Sequence, residues 1–257
     1  IGMFALGGFE RKGKLRMKSY VIGALLAFGL AMPASAATID FTANNATNGN
    51  VLDTTWNVYA GGPVGSSLSN ALHDHVAGCN DAGWTFTCKP SSGQYDVGFG
   101  VNGGGNNEEI DGKLGVNEFV EVVFGKKVQV TGFAGMLTYA NSSLKGAREQ
   151  VELQFWNGVS WVFAALAEPK AIINQIPADG DTSFDTVGLA YTTGLSIFTT
   201  KVRFFATGEG SSDDGSFNVT AAGLQVAPVP VPAGLPLMLT GLGALAWAAR
   251  RKARKSA

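Results

Sequence analysis

The chain has 257 residues and a formal net charge of −1 at neutral pH. Charged residues make up only 15% and hydrophobic residues 46%, with 35 glycines, a composition that excludes both a disordered chain and a helical bundle. Residues 37–226 hold nine basic and 19 acidic side chains, a net charge of −10, whereas both ends of the chain are basic. This acidic middle excludes nucleic-acid binding through a basic face.

Residues 1–36 predict a leader followed by a secretory signal peptide. Counted from Met17, Lys18 supplies the positive region, residues 20–32 are apolar, and Ala34-Ser35-Ala36 is a small-x-small cleavage site. A helix over the apolar stretch rises about 20 Å, too short for a hydrocarbon core of about 30 Å. We therefore expect signal peptidase to cut between Ala36 and Ala37 after export. The true start is expected at Met17 rather than Ile1.

Residues 37–226 predict a single all-β ectodomain, an antiparallel β-sandwich of the jelly-roll kind. Short β-rich runs are separated by Gly, Asn, Asp and Ser, and residues 118–124 and 150–156 alternate between apolar and polar side chains. A hairpin is expected between Trp156 and Trp161, with its turn at Asn157-Gly158. The predicted strands are 38–41, 55–59, 84–88, 95–101, 118–124, 128–139, 149–156, 161–166, 184–191, 201–205, 217–220 and 224–226. That number of strands at short spacing is typical of a sandwich.

Cys79 and Cys88 are the only cysteines, and in an exported chain they predict a disulfide. Closing a loop of about ten residues would stabilise the fold by about 2.5–3 kcal/mol in the loop-entropy account. The alternative is a zinc site shared with His73 and His75, which requires thiols kept reduced in an oxidising compartment.

Two acidic, glycine-rich loops are candidate calcium sites, because carboxylates and backbone carbonyls are the oxygen ligands that calcium takes. The first loop offers Glu108, Glu109 and Asp111, and the second offers Asp213 and Asp214. Neither loop has EF-hand spacing. The alternative is a pair of solvated loops rich in turn-forming residues.

Sugar binding and hydrolysis are the functional alternatives for the ectodomain. The aromatic candidates for sugar contact are Trp56, Trp84, Trp156, Trp161 and the tyrosines; among these, Trp84 and Tyr95 flank the predicted disulfide loop. A serine hydrolase is disfavoured, because the chain lacks a G-x-S-x-G elbow and has only two histidines. Glycoside hydrolysis by a pair of carboxylates is not excluded by sequence spacing, since the two partners in a sandwich come from different strands.

Residues 227–257 predict a membrane-directed tail. Pro228, Pro230 and Pro232 alternate, which favours an extended segment. Residues 233–249 are almost entirely apolar and predict a short transmembrane helix of about 25 Å. The basic residues that follow would stay in the cytoplasm by the positive-inside rule; they are Arg250, Arg251, Lys252, Arg254 and Lys255.

The run Val229-Pro230-Val231-Pro232-Ala233, followed by the apolar segment and the basic end, resembles the PEP-CTERM sorting signals, in particular the VPLPA subgroup. The resemblance covers about 30 residues, and Val231 stands where the name-giving motifs carry Glu or Leu. It implies that the C-terminal helix holds the exported chain in the inner membrane. Exosortase, a polytopic membrane enzyme, would then process the chain at the proline motif.

Together these features predict a non-catalytic protein of the cell surface or extracellular matrix. Its expected partners are the export machinery and signal peptidase, exosortase, the inner membrane in transit, and exopolysaccharide; nucleic acid is not among them. The alternatives are a carbohydrate- or calcium-binding adhesion module and a secreted hydrolase. A shallow groove lined by exposed aromatic side chains would favour the binding module, and a smooth sandwich with its large aromatic side chains buried would favour a purely structural role.

Overall fold

The computed structural model describes residues 36–43, 46–73, 80–81, 84–91, 94–102, 109–112, 117–136, 148–173, 187–209, 217–230, 238 and 240–247. Within these residues the fold is all-β and antiparallel, apart from one short helix, which confirms the predicted class. The strands are β1 (Ala37–Asp40), β2 (Asn48–Val51), β3 (Thr54–Gly61), β4 (Ser67–His73), β5 (Asn80–Asp81), β6 (Trp84–Thr85), β7 (Pro90–Ser91), β8 (Gln94–Asn102), β9 (Ile110–Asp111), β10 (Phe119–Met136), β11 (Arg148–Trp156), β12 (Trp161–Ala167), β13 (Pro169–Ile173), β14 (Val187–Glu209) and β15 (Asn218–Ala227).

All of these strands belong to one compact unit, Ser35–Val229. Thirteen of them form one sheet with the central order β12-β11-β14-β10-β15-β8-β4, and β5 pairs with β6 separately. The additional pairings are β1 and β9 with β15, β13 with β14, β2 with β3, β3 with β10, and β7 with β8.

The long strand β10 changes partner halfway along one edge. Its residues 119–124 pair with β3, and its residues 129–136 pair with β15, while β14 follows the other edge throughout. The sheet therefore has two wings. We call β2-β3-β10-β14-β11-β12, built on residues 119–124, the first wing. The second wing is β13-β14-β10-β15 with β1, β8 and β4, built on residues 128–136.

The structure corrects the predicted strand count at this junction. The predicted strands 118–124 and 128–139 form one continuous strand as far as Met136, because Gly125, Lys126 and Lys127 keep strand geometry although all three are exposed; residues 137–139 lie outside the described residues. A register shift between Val123 and Val128 absorbs the bend. In the same way the two strands predicted over 184–205 merge into β14, and those over 217–226 merge into β15.

Aromatic side chains from both wings meet in the main core. Phe41 lies 5.9 Å from Trp56, 5.6 Å from Phe99 and 6.2 Å from Phe204, measured between ring centroids, and Phe133 lies 6.1 Å from Phe204. All five are buried. Tilted and edge-to-face pairs at these distances stabilise beyond their buried area.

The second wing is covered on its other face as well. Residues 84–89, which we call the cover segment, place Trp84, Phe86 and Cys88 against that face, where the rings of Trp84 and Phe86 stack at 5.4 Å. Successive residues of β8, β10 and β15 are accordingly buried on both sides of the wing. Trp84 is only 1% exposed.

Polar contacts hold the cover segment in place. One Asp40 carboxylate oxygen accepts hydrogen bonds from the Thr87 amide and hydroxyl, both at 2.8 Å, and the other accepts from the amide and hydroxyl of Thr42. The Cys88 amide donates to the Thr42 hydroxyl oxygen at 2.9 Å. Cys88 is disulfide-bonded, and the chain's other cysteine, Cys79, lies outside the described residues.

Asp96 is a buried carboxylate beside this attachment. Its Oδ1 accepts from the Gly98 amide at 2.9 Å, whereas its Oδ2 has no hydrogen-bond partner. Burial raises the pKa of Asp96 to about 6, and the nearby Asp40 carboxylate adds to the rise while Lys89 opposes it. Gly98 is required here: at φ +118°, a Cβ would collide with the carbonyl oxygen of Ala221.

The short helix comprises residues 238 and 240–247, and all of them are exposed. In the described part of the chain, no helix has both the length and the apolar character needed to cross a membrane.

Candidate functional site

The outer face of the first wing is open and rich in aromatic side chains. Along β10 the side chains of Val120, Val122 and Phe124 are buried in the core, so those of Phe119 and Glu121 point away from it. The aromatic platform, as we name this face, consists of Tyr59, Phe119, Trp161, Phe163, Arg203 and Phe205.

One cross-strand row crosses the platform through five adjacent strands. Tyr59 pairs with Glu121, Glu121 with Arg203, Arg203 with Gln154, and Gln154 with Phe163. Four interstrand spacings separate the two ends of the row by about 19 Å. Tyr59 and Phe163, which form these ends, are 52% and 56% exposed.

Arg203 is fixed at the centre of this row between two rings. Its guanidinium carbon lies 4.0 Å from the ring centroid of Phe119 and 3.8 Å from the ring of Trp161. Its Nε donates to Glu121 Oε2 at 2.7 Å. Stacking on two aromatic faces together with a charge-assisted hydrogen bond fixes a side chain that would otherwise be mobile.

Phe119 owes its position to a glycine on the neighbouring strand. Its ring lies over Gly61, its partner in the β3–β10 register, where a Cβ would collide with the ring. On the other side the Phe119 ring packs against Phe205 at 5.4 Å. Such a ring protects the backbone of a strand glycine and secures the local register.

Trp161 is positioned by the predicted hairpin, which the structure confirms. Trp156 and Trp161 are opposite residues with ring centroids 5.6 Å apart. The Asn157 side-chain oxygen accepts the amides of Val159 at 2.8 Å and Ser160 at 2.9 Å, which closes the turn.

The charges on this face balance. Glu121 pairs with Arg203 and, more loosely, with Lys201, whose Nζ lies 4.0 Å from Glu121 Oε1. Glu152 accepts a hydrogen bond from Gln154 at 2.7 Å. Together these two acidic and two basic side chains carry no net charge.

A second polar group of residues surrounds Asp111, one of the predicted calcium ligands. Asp111 is 3% exposed, and its amide donates to Glu118 Oε2 at 2.9 Å. Glu118 is 1% exposed, and its Oε1 has no hydrogen-bond partner. Burial raises the pKa of Glu118, and the negative charge of Asp111 raises it further.

Asn218 adds a further buried oxygen to this group. It stands opposite Asp111 in the β9–β15 register, and its Oδ1 is buried without a hydrogen-bond partner. The Gly112 amide donates to the Phe217 carbonyl oxygen at 2.8 Å, so Asp111 and Asn218 form a non-hydrogen-bonded pair with closely spaced side chains. Among the described residues, no three His, Cys, Asp or Glu side chains form a metal-binding group.

The remaining predicted calcium ligands are either separate from this group or outside the residues that the structure describes. Glu109 is half-buried directly before β9. Glu108, Asp213 and Asp214 lie outside the described residues. The sequence patterns did not point to Glu118, which is only seven residues from Asp111, or to Asn218, which joins Asp111 only through the pairing of β9 with β15.

The aromatic residues considered for sugar contact separate into two groups. Trp84 is buried in the cover segment and Trp56 in the main core, so neither ring is exposed for contact with a sugar. Trp156 and Trp161 are half-exposed on the first wing. No local pattern in the sequence points to Phe163, Phe119 or Arg203 as surface residues of this face.

The tail motif is described only at its start. Val229 is 37% exposed and Pro230 is exposed, both without regular secondary structure. Val231, Pro232, Ala233 and the basic residues Arg250, Arg251, Lys252, Arg254 and Lys255 lie outside the described residues. At the other end, Ala34 lies outside them, Ala36 is exposed, and Ala37 begins β1.

No protein-family model matches the chain, and no curated protein sequence matches it either.

Proposed function

We propose that this chain is an exported, non-catalytic surface or matrix protein, processed by an exosortase at Val229–Ala233. The observation that carries the proposal is the position of the two ends of the ectodomain. Ala37 pairs with Val226 near the C-terminal end of β15. The bond that signal peptidase is expected to cut and the start of the proline motif therefore lie at the same end of the sheet. A folded ectodomain could thus be released from both membrane-directed segments without losing a strand.

The beginning of the proline motif supports access by a processing enzyme. The backbone leaves β15 after Ala227, and the exposed Val229 and Pro230 continue without regular structure. Proline residues at alternate positions keep such a segment extended, and a protease needs an extended, accessible segment.

The composition of the short helix supports transient anchoring in the membrane. Met238, Leu242, Leu245 and Trp247 are each more than half exposed, and no described residue of the helix is charged. A helix that is apolar on every side is favoured in lipid. We propose that residues 233–249 form the membrane segment and that the five basic residues beyond it stop its transfer.

For the ectodomain we propose a jelly-roll-like β-sandwich. The support is the shared core, in which Trp56 from the first wing and Phe99 from the second contact the same ring, Phe41. Strands that pass from one sheet to the other through a bend are a known way to build sandwich corners, and we propose that β10 and β14, which change pairing partner along their length, do so here.

The ectodomain, in this proposal, acts by binding. A purely structural module would bury its large aromatic side chains, whereas the aromatic platform keeps Tyr59 and Phe163 open to solvent. An exposed face of this kind indicates an interaction site.

The sorting step is tested by substitution of the motif. Pro230→Ala together with Pro232→Ala should leave export intact, and the chain should accumulate in the inner membrane with its tail. Pro228→Ala, the same change just outside the motif, is the matched control and should be processed normally. Loss of the tail from the double variant at the normal rate would overturn the sorting assignment.

Calcium binding is a second proposed property, favoured by the buried oxygens of Glu118 and Asn218 beside Asp111. Calcium accepts amide and carbonyl oxygens as well as carboxylates, so two carboxylates and one amide are a reasonable partial ligand set. We propose that calcium binds here and stabilises the pairing of β9 with β15.

Calcium titration of thermal unfolding tests this second property. After removal of metal with EDTA, added calcium should raise the Tm of the wild-type protein, because a ligand that binds only the folded state stabilises it. Glu118→Gln should abolish the rise, and Glu152→Gln on the open face should leave it unchanged. A wild-type Tm that ignores calcium would contradict the proposal.

A further inference from the structure

We propose that the aromatic platform binds an extended, uncharged glycan that lies across β3, β10, β14, β11 and β12, with sugar rings on Tyr59 and Phe163 and hydroxyl contacts to the polar residues between them. The inference rests on the proposed binding function and specifies its ligand class and residues.

The arrangement of the rings suits an extended chain better than a compact ligand. Tyr59 and Phe163 lie at opposite ends of a row about 19 Å long, and both are more than half exposed. A pyranose ring presents a face of C–H groups that packs on an aromatic ring. A ligand that uses both rings must therefore extend over several sugar units.

The middle of the row supplies the hydrogen-bonding groups. Glu121, Arg203 and Gln154 stand between the two rings on successive strands. Among the residues described, Arg203 uses only its Nε in a hydrogen bond, which leaves the terminal guanidinium nitrogens for a hydroxyl ligand. Because Phe119 and Trp161 already fix Arg203, binding requires little further ordering of this side chain.

The charges argue for an uncharged polymer. On the face that carries the aromatic platform, the charges of Glu121 and Glu152 balance those of Lys201 and Arg203. These four side chains therefore create no net positive field that would attract a polyanion. Residues 37–226 as a whole carry a net charge of −10, which repels one. An acidic polysaccharide is therefore disfavoured on both counts.

The pattern of the platform also disfavours a protein partner. Hot spots of protein interfaces cluster near the centre of the interface, in well-packed pockets that exclude water. Here the most exposed rings lie at the ends, and the centre of the row holds Glu121, Arg203 and Gln154. A long ligand with hydroxyl groups along its length fits a row that has aromatic rings at its ends and polar side chains in its centre.

Affinity gel electrophoresis of the purified full chain in detergent provides the test. The gels contain hydroxyethylcellulose, galactomannan or dextran as uncharged probes, and alginate as the anionic probe. We expect at least one uncharged probe to retard the wild-type protein, with retardation unchanged by 0.5 M salt, roughly the range in which exposed charge interactions are screened. Alginate should not retard it.

Variants locate the binding surface. Tyr59→Ala and Phe163→Ala should each weaken retardation about tenfold or more, in line with a loss of roughly 1.4 kcal/mol. Phe198→Ala is the matched control, because Phe198 is a 39% exposed phenylalanine outside the row. It should bind as the wild type does.

Three outcomes would overturn the inference: no retardation by any uncharged probe, salt-sensitive retardation by alginate, or equal retardation of all variants. None of them affects processing at the proline motif, which the Pro230 and Pro232 substitutions test separately.

Discussion

The two wings of the sheet share β10 and β14, but the outer face of one wing is covered and the outer face of the other is exposed. The second wing is covered by residues 84–89, so Trp84 and Phe86 are buried against it. The first wing leaves Tyr59 and Phe163 open. The same strands therefore contribute to stability in one half, where both faces are buried, and carry the proposed binding surface in the other.

The largest expected effect comes from the same substitution made on both wings. Trp84→Ala should lower the free energy of unfolding by about 3–5 kcal/mol, because it removes a fully buried ring that stacks on Phe86. Trp161→Ala should cost clearly less, since its ring is half-exposed. Denaturant unfolding measures both values, and equal losses would contradict the contrast between the wings.

Removal of the disulfide should have the next largest effect. Cys79→Ser together with Cys88→Ser should destabilise the protein by about 2.5–3 kcal/mol, because the unfolded cover region gains conformational freedom. The Tm before and after reduction of the wild-type protein gives an independent measure. If neither change lowers the Tm, the cover segment does not depend on the covalent link.

The pH dependence of stability should reveal Asp96 beneath the cover segment. Its folded-state pKa of about 6 lies above the ordinary value of 3.8, so its ionisation costs stability as the pH rises through this interval, and the cost is constant above it. Asp96→Asn should therefore stabilise the protein by about 1–3 kcal/mol at pH 8 and have little effect below pH 4. An identical change in Tm at both pH values would contradict this account.

The smallest effect on stability is expected on the platform. Phe163→Ala should change the free energy of unfolding by no more than about 0.5 kcal/mol, because this side chain is mostly solvent-exposed. Its loss of glycan binding would then be a local effect. A large destabilisation would mean that Phe163 belongs to the core and would weaken the distinction between the wings.

Local patterns were sufficient to predict parts of the fold. The alternation in residues 150–156 predicts that Val151, Leu153 and Phe155 face inward; Val151 and Leu153 are buried in the core, and Phe155 is partly buried against it. The Asn157-Gly158 pair marked the hairpin. The pattern failed at residues 125–127, where Gly125 and two lysines look like a turn but lie in a bent, continuous strand. Such a bend depends on the change of pairing partner from β3 to β15, which no local pattern contains.

The candidate site was largely beyond sequence reasoning. Arg203 contacts Phe119 and Trp161, which lie on strands far apart in the chain. Nothing near Trp84 or Trp161 in the sequence reveals that one ring is covered and the other open. That difference arises because the cover segment lies over only one wing.

The most direct test of the central claim is the intact mass of the mature protein recovered from the cell surface and the medium. The account predicts a chain that begins near Ala37 and ends within Val229–Ala233, with the ectodomain as its working form. A chain that begins near Ala37 but retains its tail through Ala257 would contradict sorting and indicate an ordinary membrane anchor.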